Sequence, residues 1–131
     1  MVKRLLCVDD DRITLTFIKL LVTKASFAQE IITKMNGKEA IDYYGELSAS
    51  STENYPDLVF LDLNMPYMDG WDFLDEFASN YYQQFNKTKI VILSSSITAS
   101  EKNKALAYPM VVNYLTKPLT IGALQDLIAL V

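Results

Sequence analysis

The stretch that decides the fold is Asp57-Leu58-Val59-Phe60-Leu61-Asp62-Leu63-Asn64-Met65-Pro66-Tyr67-Met68-Asp69-Gly70. Its first part predicts a buried strand over residues 57–61, because an uninterrupted apolar run suits a strand that is covered on both faces. The strand ends at an acidic residue, Asp62, and Pro66 with Asp69-Gly70 then marks a loop. Strands covered on both faces occur in parallel sheets, so this stretch predicts an α/β protein.

On both sides of this stretch, short apolar runs alternate with longer helical patterns. The predicted strands are residues 5–8, 30–33, 57–61, 90–93 and 111–115. The predicted helices are residues 13–25, 38–47 and 71–82, one from a Thr98–Glu101 capping box to Ala107, and one from an N-cap at Thr120 through Val131. The Ser-rich residues 48–55 are predicted to form a surface loop. Five strands alternating with five helices predict a doubly wound parallel sheet covered by helices on both faces.

The composition of the 131 residues excludes several classes of protein. Half are hydrophobic and Gly and Pro number only four each, which excludes a disordered or low-complexity chain. The net charge of −4 argues against a nucleic-acid binder, since phosphate contacts need a basic face. The apolar run at the N-terminus is too short for a signal peptide or a membrane span. The lone Cys7 cannot form an internal disulfide. We therefore expect one cytoplasmic domain that binds neither nucleic acid nor membrane.

Ligands of a doubly wound sheet bind beyond the carboxyl ends of its strands, and reactive side chains lie there in this sequence. They are Asp9 and Asp10 after the first predicted strand, Asp62 after the third, Ser94 after the fourth and Lys117 after the fifth. If the first and third strands are neighbours, three carboxylates converge. Two carboxylates ~4 Å apart repel by about 4 kcal/mol at an effective dielectric near 20. A magnesium ion resolves such a cluster, because Mg²⁺ prefers carboxylate and phosphate oxygens.

A carboxylate beside Mg²⁺ can attack a phosphoryl group and form an acyl phosphate. Lys117 then neutralises the transferred charge, and Ser94 offers a hydroxyl to a phosphate oxygen. Other residues have ordinary structural interpretations. Asp11 and Asp69 are predicted to be helix N-caps, and Cys7 is predicted to be inert core. The segment Tyr108-Pro109-Met110 keeps two interpretations, an exposed docking patch or packing over the edge of the sheet.

Five stretches carry more information together than separately. They are Val8-Asp9-Asp10-Asp11, Asn36-Gly37-Lys38-Glu39-Ala40, the stretch 57–70 quoted above, Ile90-Val91-Ile92-Leu93-Ser94-Ser95, and Tyr114-Leu115-Thr116-Lys117-Pro118. In this order and at these separations they resemble the response-regulator receiver domain, of the chemotaxis-regulator type, over essentially the whole chain. The resemblance implies a flavodoxin-like receiver fold with strand order 2-1-3-4-5 and five helices. It also implies a cis peptide bond at Lys117-Pro118.

The same resemblance implies a role for each matching residue. Asp62 is the phosphoacceptor, Lys117 contacts the phosphoryl group, and Ser94 moves toward it on activation. Tyr114 then turns inward toward Ser94, which changes the surface formed by the fourth helix, fifth strand and fifth helix. Magnesium is held by the metal ligands of the family, which here are Asp9, Asp10, Asp62 and the main-chain carbonyl of Asn64.

We therefore expect residues 1–131 to be a stand-alone receiver with no output domain, working in a two-component phosphorelay. Because the chain has no histidine, the phosphohistidine donor must be another protein, a sensor histidine kinase or a histidine phosphotransfer protein. The output is expected to be a second, unidentified protein. The domain is expected to assist its own phosphotransfer and autodephosphorylation rather than to be an enzyme. The alternatives are a Mg²⁺-dependent phosphohydrolase with an aspartyl nucleophile, and a flavin-binding module of the same fold.

Overall fold

The computed structural model describes residues 1–50 and 53–130, in which strands and helices alternate. The strands are β1 (Val2–Val8), β2 (Ala28–Lys34), β3 (Leu58–Leu61), β4 (Lys89–Ser94) and β5 (Val111–Thr116). The helices are α1 (Arg12–Lys24), α2 (Gly37–Ala49), α3 (Gly70–Asn80), α4 (Ala99–Leu106) and α5 (Ile121–Ile128). Each strand is followed along the chain by one helix, as in repeated βαβ units.

One parallel sheet contains all five of these strands, in the order β2-β1-β3-β4-β5. Leu5 in β1 pairs with Ile31 in β2 on one side and with Leu58 in β3 on the other. At the carboxyl ends of the two central strands, Val8 lies beside Leu61. The residues that directly follow β1 and β3 therefore meet at one edge of the sheet. The predicted fold class and strand order are confirmed.

Helices cover both faces of the sheet, because alternate side chains of the central strands are apolar in both directions. On one face Leu5 and Phe60 belong to a core with residues of α1 and α5: Leu15, Ile18, Val22, Leu124 and Leu127. On the other face Leu6 and Leu61 belong to a core with residues of α2, α3 and α4: Ala40, Tyr44, Phe73, Phe77 and Ala105. The edge where Asp9 and Asp62 emerge thus has α1 on one side and α3 on the other.

The ends of several elements differ from the predictions. Strand β1 begins at Val2, because the main-chain N–H groups of Lys3 and Arg4 donate to the Asp57 carboxylate and Val2 donates to the Phe27 carbonyl. Helix α2 continues to Ala49, so the predicted loop at 48–55 is wrong at its start. Helix α5 ends at Ile128, so its predicted end at Val131 is wrong. Residues 51 and 52 of the predicted loop, and Val131, lie outside the described residues.

Packing bears on two smaller predictions. Burial raises the pKa of the Cys7 thiol to about 12, so this side chain is inert core as predicted. In the segment Tyr108-Pro109-Met110, Met110 is buried and Tyr108 packs against the core and donates its hydroxyl to Asp75 of α3, whereas Pro109 is exposed, so a docking role of this segment stays a prediction. None of the helices in the described parts of the chain is both long and apolar enough to cross a membrane.

Candidate functional site

The candidate site is formed where the central strands end, and the sheet itself positions its side chains. Asp9 follows β1, and its N–H donates to the Lys34 carbonyl at 3.1 Å. Asp62 follows β3, and its N–H donates to the Val8 carbonyl at 3.0 Å. Lys117 follows β5, and its N–H donates to the Ser94 carbonyl at 2.8 Å. These bonds extend the hydrogen-bond ladder of the sheet by one residue. They therefore fix the main chain from which each of the three side chains enters the pocket.

Three carboxylates converge at this edge, as the sequence predicts. Asp9, Asp10 and Asp62 each offer an oxygen within 4.8 Å of the others. Asp10 is exposed, whereas Asp9 is 3% and Asp62 is 6% exposed. One oxygen of Asp9 accepts from the Asp11 N–H at 2.9 Å, and one oxygen of Asp62 accepts from the Asn64 N–H at 3.3 Å. The pocket therefore holds two buried acids, each oriented by a main-chain donor.

Lys117 reaches across the pocket to both buried acids. Its Nζ lies 2.6 Å from Asp9 Oδ2 and 3.4 Å from Asp62 Oδ2. Burial lowers the pKa of Lys117, but the hydrogen bond to Asp9 and the charges of both acids outweigh it, so the pKa lies above its usual value. The peptide bond from Lys117 to Pro118 is cis, as the family resemblance implies.

One ammonium group does not compensate the whole cluster. Burial raises the pKa of Asp62, the positive charge of Lys117 opposes that shift, and the negative charge of Asp9 adds to it, so the pKa stays above its usual value. An ionised Asp62 is therefore less stable in the folded protein than in water. The site keeps this carboxylate at a cost in stability.

Replacing Asp62 with asparagine is expected to raise the free energy of unfolding by about 1 kcal/mol at neutral pH without divalent cations, or Tm by about 4 °C. The sign follows from the raised pKa. Above pH 3.8 the unfolded chain ionises Asp62 before the folded one does, so the wild type loses stability as the pH rises through that window. The stability gain of Asp62→Asn is therefore absent in strong acid, and it reaches its full value above the raised pKa of Asp62. Thermal unfolding followed by circular dichroism between pH 3 and pH 8 measures it.

Asp126→Asn is the control for Asp62→Asn, since it removes one charge from an exposed position on α5. It should change Tm little at any pH. Asp10→Asn should raise Tm less than Asp62→Asn, because Asp10 is exposed and its repulsion is screened by water. A decrease in Tm for both pocket variants in EDTA would contradict the converging-carboxylate description.

Ser94 and Asn64 lie next to the pocket without completing it. Ser94 is fully buried, but its hydroxyl donates to the Ser96 carbonyl at 3.1 Å and not to a carboxylate. Asn64 turns its N–H toward Asp62, and its side chain is exposed. Ser94 ends β4, the strand beside β3, and Asn64 donates its N–H to Asp62, while their proposed contacts with a phosphoryl group or a metal stay predictions.

Tyr114 has a partner that no sequence motif predicts, Lys102. It is half-buried on β5, and Lys102 of α4 places its Nζ 4.3 Å from the centre of the tyrosine ring. Such a cation–π contact contributes about 0.5–1 kcal/mol at an exposed site. Helix α4 also contacts α3 through Lys104, whose Nζ is 4.2 Å from the centre of the Trp71 ring. No spacing rule connects these positions, because the contacts join different elements.

Asp11 and Asp69 are helix N-caps, as the sequence predicts. Asp11 caps α1 by accepting from the Ile13 N–H at 3.0 Å. Asp69 caps α3 by accepting from the Asp72 N–H at 2.9 Å. Neither side chain belongs to the carboxylate cluster.

Helix α1 leaves an apolar surface beside the pocket. Ile13 and Leu20 are 80% and 67% exposed, and Phe17 between them is also exposed. A groove of about 360 Å³ separates this helix from Pro118 and its neighbours after β5, and Lys117 forms part of the groove wall. The groove thus meets the acidic pocket at Lys117, whose ammonium lies against both buried acids.

Residues 5–129 match the family described as Response regulator receiver domain. The chain is 29% identical to a chemotaxis protein CheY of Halobacterium salinarum over 98% of this chain and 96% of that protein. It is 32% identical to a protein-glutamate methylesterase/protein-glutamine glutaminase of Archaeoglobus fulgidus, over 95% of this chain and 32% of that protein. The chain thus spans about a third of the methylesterase. A two-component response regulator structure from Cytophaga hutchinsonii has a TM-score of 0.89 and 31% identity, covering 98% of this chain and 95% of that one.

Proposed function

This chain belongs to the response regulator receiver domain family, and on that premise we propose that Asp62 accepts a phosphoryl group from a phosphohistidine. Receiver domains of this family act in phosphorelay signalling and take phosphoryl groups from histidine kinases or phosphotransfer proteins. The observation that supports a phosphoacceptor at this edge is the pocket itself, and the choice of Asp62 rather than Asp9 follows the resemblance of residues 57–70 to the family. A buried carboxylate lies within 4.8 Å of two others, and one lysine ammonium spans the two buried acids.

The proposed transfer is an in-line displacement at phosphorus. An Asp62 oxygen attacks, a P–O bond forms, and the P–N bond to the donor imidazole breaks. The electron pair of that bond returns to the ring nitrogen, which then takes a proton from water. The Asn64 N–H holds one oxygen of Asp62, so the carboxylate is oriented before the donor arrives. Lys117 is already in the pocket and can follow the charge as it moves onto the acyl phosphate.

The donor atoms of the pocket fit a magnesium ion. Two buried carboxylates and one exposed carboxylate leave an excess of negative charge beside a single lysine, and carboxylate oxygens are preferred Mg²⁺ ligands. We propose that Asp9, Asp10 and Asp62 hold the ion together with the main-chain carbonyl of Asn64. When bound, Mg²⁺ offsets the repulsion between an incoming phosphoryl group and these acids.

The proposed output is a change at Ser94 and Tyr114. Phosphorylation adds a charge of about −1.5 to −2 at the carboxyl edge of the sheet. The Ser94 hydroxyl must leave the Ser96 carbonyl to reach a phosphoryl oxygen, and Ser94 ends the strand that neighbours Tyr114. A turn of Tyr114 inward would break its contact with Lys102 and change the surface of α4, β5 and α5. We propose that a protein partner reads this surface.

Mass spectrometry of protein treated with acetyl phosphate and Mg²⁺ tests the phosphoacceptor. Wild type and Asp126→Asn should each gain one phosphoryl group, and Asp62→Asn should gain none. Removing free Mg²⁺ with EDTA should strongly slow the labelling of wild type. Equal labelling of Asp62→Asn would contradict the assignment. Sustained hydrolysis of small phosphate esters over many turnovers would instead favour the phosphohydrolase alternative.

A further inference from the structure

Helix α4 has fewer buried residues than the other helices. In α4 the buried residue is Ala105, whereas each of the other four helices buries at least two residues. Most of the stability of a helix in a protein comes from packing its apolar face, so the core holds α4 less firmly than its neighbours. The position of α4 therefore depends on contacts that its polar and charged side chains make with other elements.

Two of these contacts join α4 to α3, and they lie one helical turn apart. Lys104 places its Nζ 4.2 Å from the centre of the Trp71 ring, and Trp71 itself packs against the core. Four residues further along both segments, the Tyr108 hydroxyl donates to the Asp75 carboxylate. Residues four apart lie on the same face of a helix, so the two contacts use one face of α3. Trp71, Asp75, Lys104 and Tyr108 form what is called below the α3–α4 latch.

The other end of α4 is connected to the acidic pocket. Ser94 ends β4, and its hydroxyl donates to the Ser96 carbonyl at 3.1 Å. Two residues later Thr98 caps α4 by accepting from the Glu101 N–H at 3.1 Å. In the proposed phosphorylated state the Ser94 hydroxyl leaves Ser96 for a phosphoryl oxygen on Asp62, and the segment released in this way leads directly into the cap. Phosphorylation thus acts on the N-terminal end of α4, while the latch holds its C-terminal end.

Lys102 restrains α4 on the side of β5. Its Nζ lies 4.3 Å from the centre of the Tyr114 ring, whereas Lys104 reaches α3. Residues two apart on a helix point about 200° away from each other, so α4 lies between an aromatic ring on β5 and another on α3. The proposed inward turn of Tyr114 removes the restraint on the β5 side. The latch then remains as the restraint on the α3 side.

We propose that the α3–α4 latch stabilises the unswitched arrangement of α4 and thereby limits how readily the pocket is activated, an inference that rests on the proposed function. The latch is formed together with the Ser94 bond to Ser96 and the Lys102 contact with Tyr114, the two contacts that the proposed switch breaks. A contact present in one of two conformations shifts their equilibrium by its own free energy. Breaking the latch should therefore tighten binding of a phosphoryl-like ligand at Asp62.

The test uses Lys104→Ala and Tyr108→Phe in the full chain, each of which removes one of the two latch contacts. Lys24→Ala is the matched control, since Lys24 is an exposed lysine at the end of α1, the helix on the other face of the sheet. The probe is beryllofluoride with Mg²⁺, a small mimic of a phosphoryl group that needs no protein donor. Fluorine NMR measures its apparent dissociation constant, and Tm is measured for every variant without the probe.

For Lys104→Ala we expect the dissociation constant of beryllofluoride to fall about threefold, which corresponds to loss of a cation–π contact at an exposed site. For Tyr108→Phe we expect a decrease of about fivefold, because a hydrogen bond is lost. Neither variant should have a higher Tm than wild type, since each loses a contact of the unswitched protein. Tighter binding without a gain in Tm distinguishes a latch from a contact that only stabilises the fold. Lys24→Ala should bind like wild type.

Trp71 is the single tryptophan of the chain, so its fluorescence reports on the latch. Coupling between two sites is reciprocal, so binding at Asp62 should in turn separate Lys104 from the indole ring. An indole ring that loses its cover is more exposed to water, and its emission moves to longer wavelength. Wild type should show this shift when beryllofluoride is added. Lys104→Ala should emit at the longer wavelength before the addition and change little after it.

Unchanged or weaker binding of beryllofluoride by both latch variants would overturn the inference. A wild-type Trp71 emission that is the same with and without bound beryllofluoride would also overturn it, because the latch would then be intact in both states. In either case Asp62 remains the phosphoacceptor if wild type binds beryllofluoride and Asp62→Asn does not. Equal binding by Asp62→Asn would instead contradict the proposed function.

Discussion

Lys117→Ala is expected to lower the free energy of unfolding by about 3 kcal/mol at neutral pH without divalent cations, and Tm by about 10 °C. The ammonium lies 2.6 Å from Asp9 and 3.4 Å from Asp62, and both acids are buried. Removing it leaves two negative charges together with no positive charge beside them. The pocket opens to water at the exposed Asp10, so the loss should lie at the lower end for a broken buried ion pair.

Adding Mg²⁺ and lowering the pH should each reduce the loss of stability caused by Lys117→Ala. Mg²⁺ binds the folded site and adds stability in proportion to RT ln(1 + [Mg²⁺]/Kd), so the Tm of the variant should rise steeply with the ion. In acid the difference from wild type should narrow as carboxylates such as Asp62 become protonated. Lys38→Ala is the matched control, because Lys38 forms an exposed i,i+4 pair with Asp42 worth about 0.5 kcal/mol or less. Urea unfolding in EDTA and in Mg²⁺ measures both effects, and a Lys117→Ala protein as stable as Lys38→Ala would contradict the charge balance described for the pocket.

Gly70→Ala is expected to have an effect of similar size through a steric mechanism. A Cβ on Gly70 would lie 2.5 Å from the Asp62 main-chain oxygen and 2.8 Å from the Leu63 Cα. Both contacts are with backbone, which cannot turn aside as a side chain can. Either α3 or the end of β3 must shift, and overpacking of this kind costs about 3 kcal/mol. Because Asp62 is carried by the backbone that moves, labelling by acetyl phosphate should also slow.

Gly122→Ala is the control for the glycine substitution. Gly122 is exposed in α5, and the nearest atom to its Cβ position is 3.9 Å away. Alanine should therefore stabilise this helix by up to about 1 kcal/mol. Chemical unfolding distinguishes the two variants, because Gly70→Ala should lower the free energy of unfolding and Gly122→Ala should raise it. If Gly70→Ala is as stable as wild type and is labelled as fast, the close approach of α3 to the phosphoacceptor strand is not required.

Most of the architecture follows from patterns that are local in the chain. The apolar runs of β1, β3 and β4 are short and each ends at a polar residue, so their existence and their carboxyl ends were predictable. The residues at which the helices begin and end were less predictable. Helix α2 runs past the predicted loop start at Ser48, because helix ends depend on packing and capping as well as on composition.

The members of the acidic pocket were also predictable, since residues that follow neighbouring parallel strands must meet. Asp9 and Asp62 follow the neighbouring strands β1 and β3, whereas Lys117 follows β5 and reaches both acids through its long side chain. Their hydrogen-bond partners were not predictable. The contact of Lys102 with Tyr114 and the bond from the Ser94 hydroxyl to Ser96 depend on side-chain rotamers and on how elements pack, and no sequence spacing encodes them.

By itself the sequence determined the sheet, the two helical layers and the identity of the acids and the lysine at its carboxyl edge, because alternating apolar runs and the residues that end them are properties of the chain read in order. Only the tertiary structure decided how far that charge is compensated and where Ser94 and Tyr114 are held. These features arise from contacts between segments distant in sequence, such as Lys117 with Asp9 and Lys102 with Tyr114, and from the burial that those contacts impose.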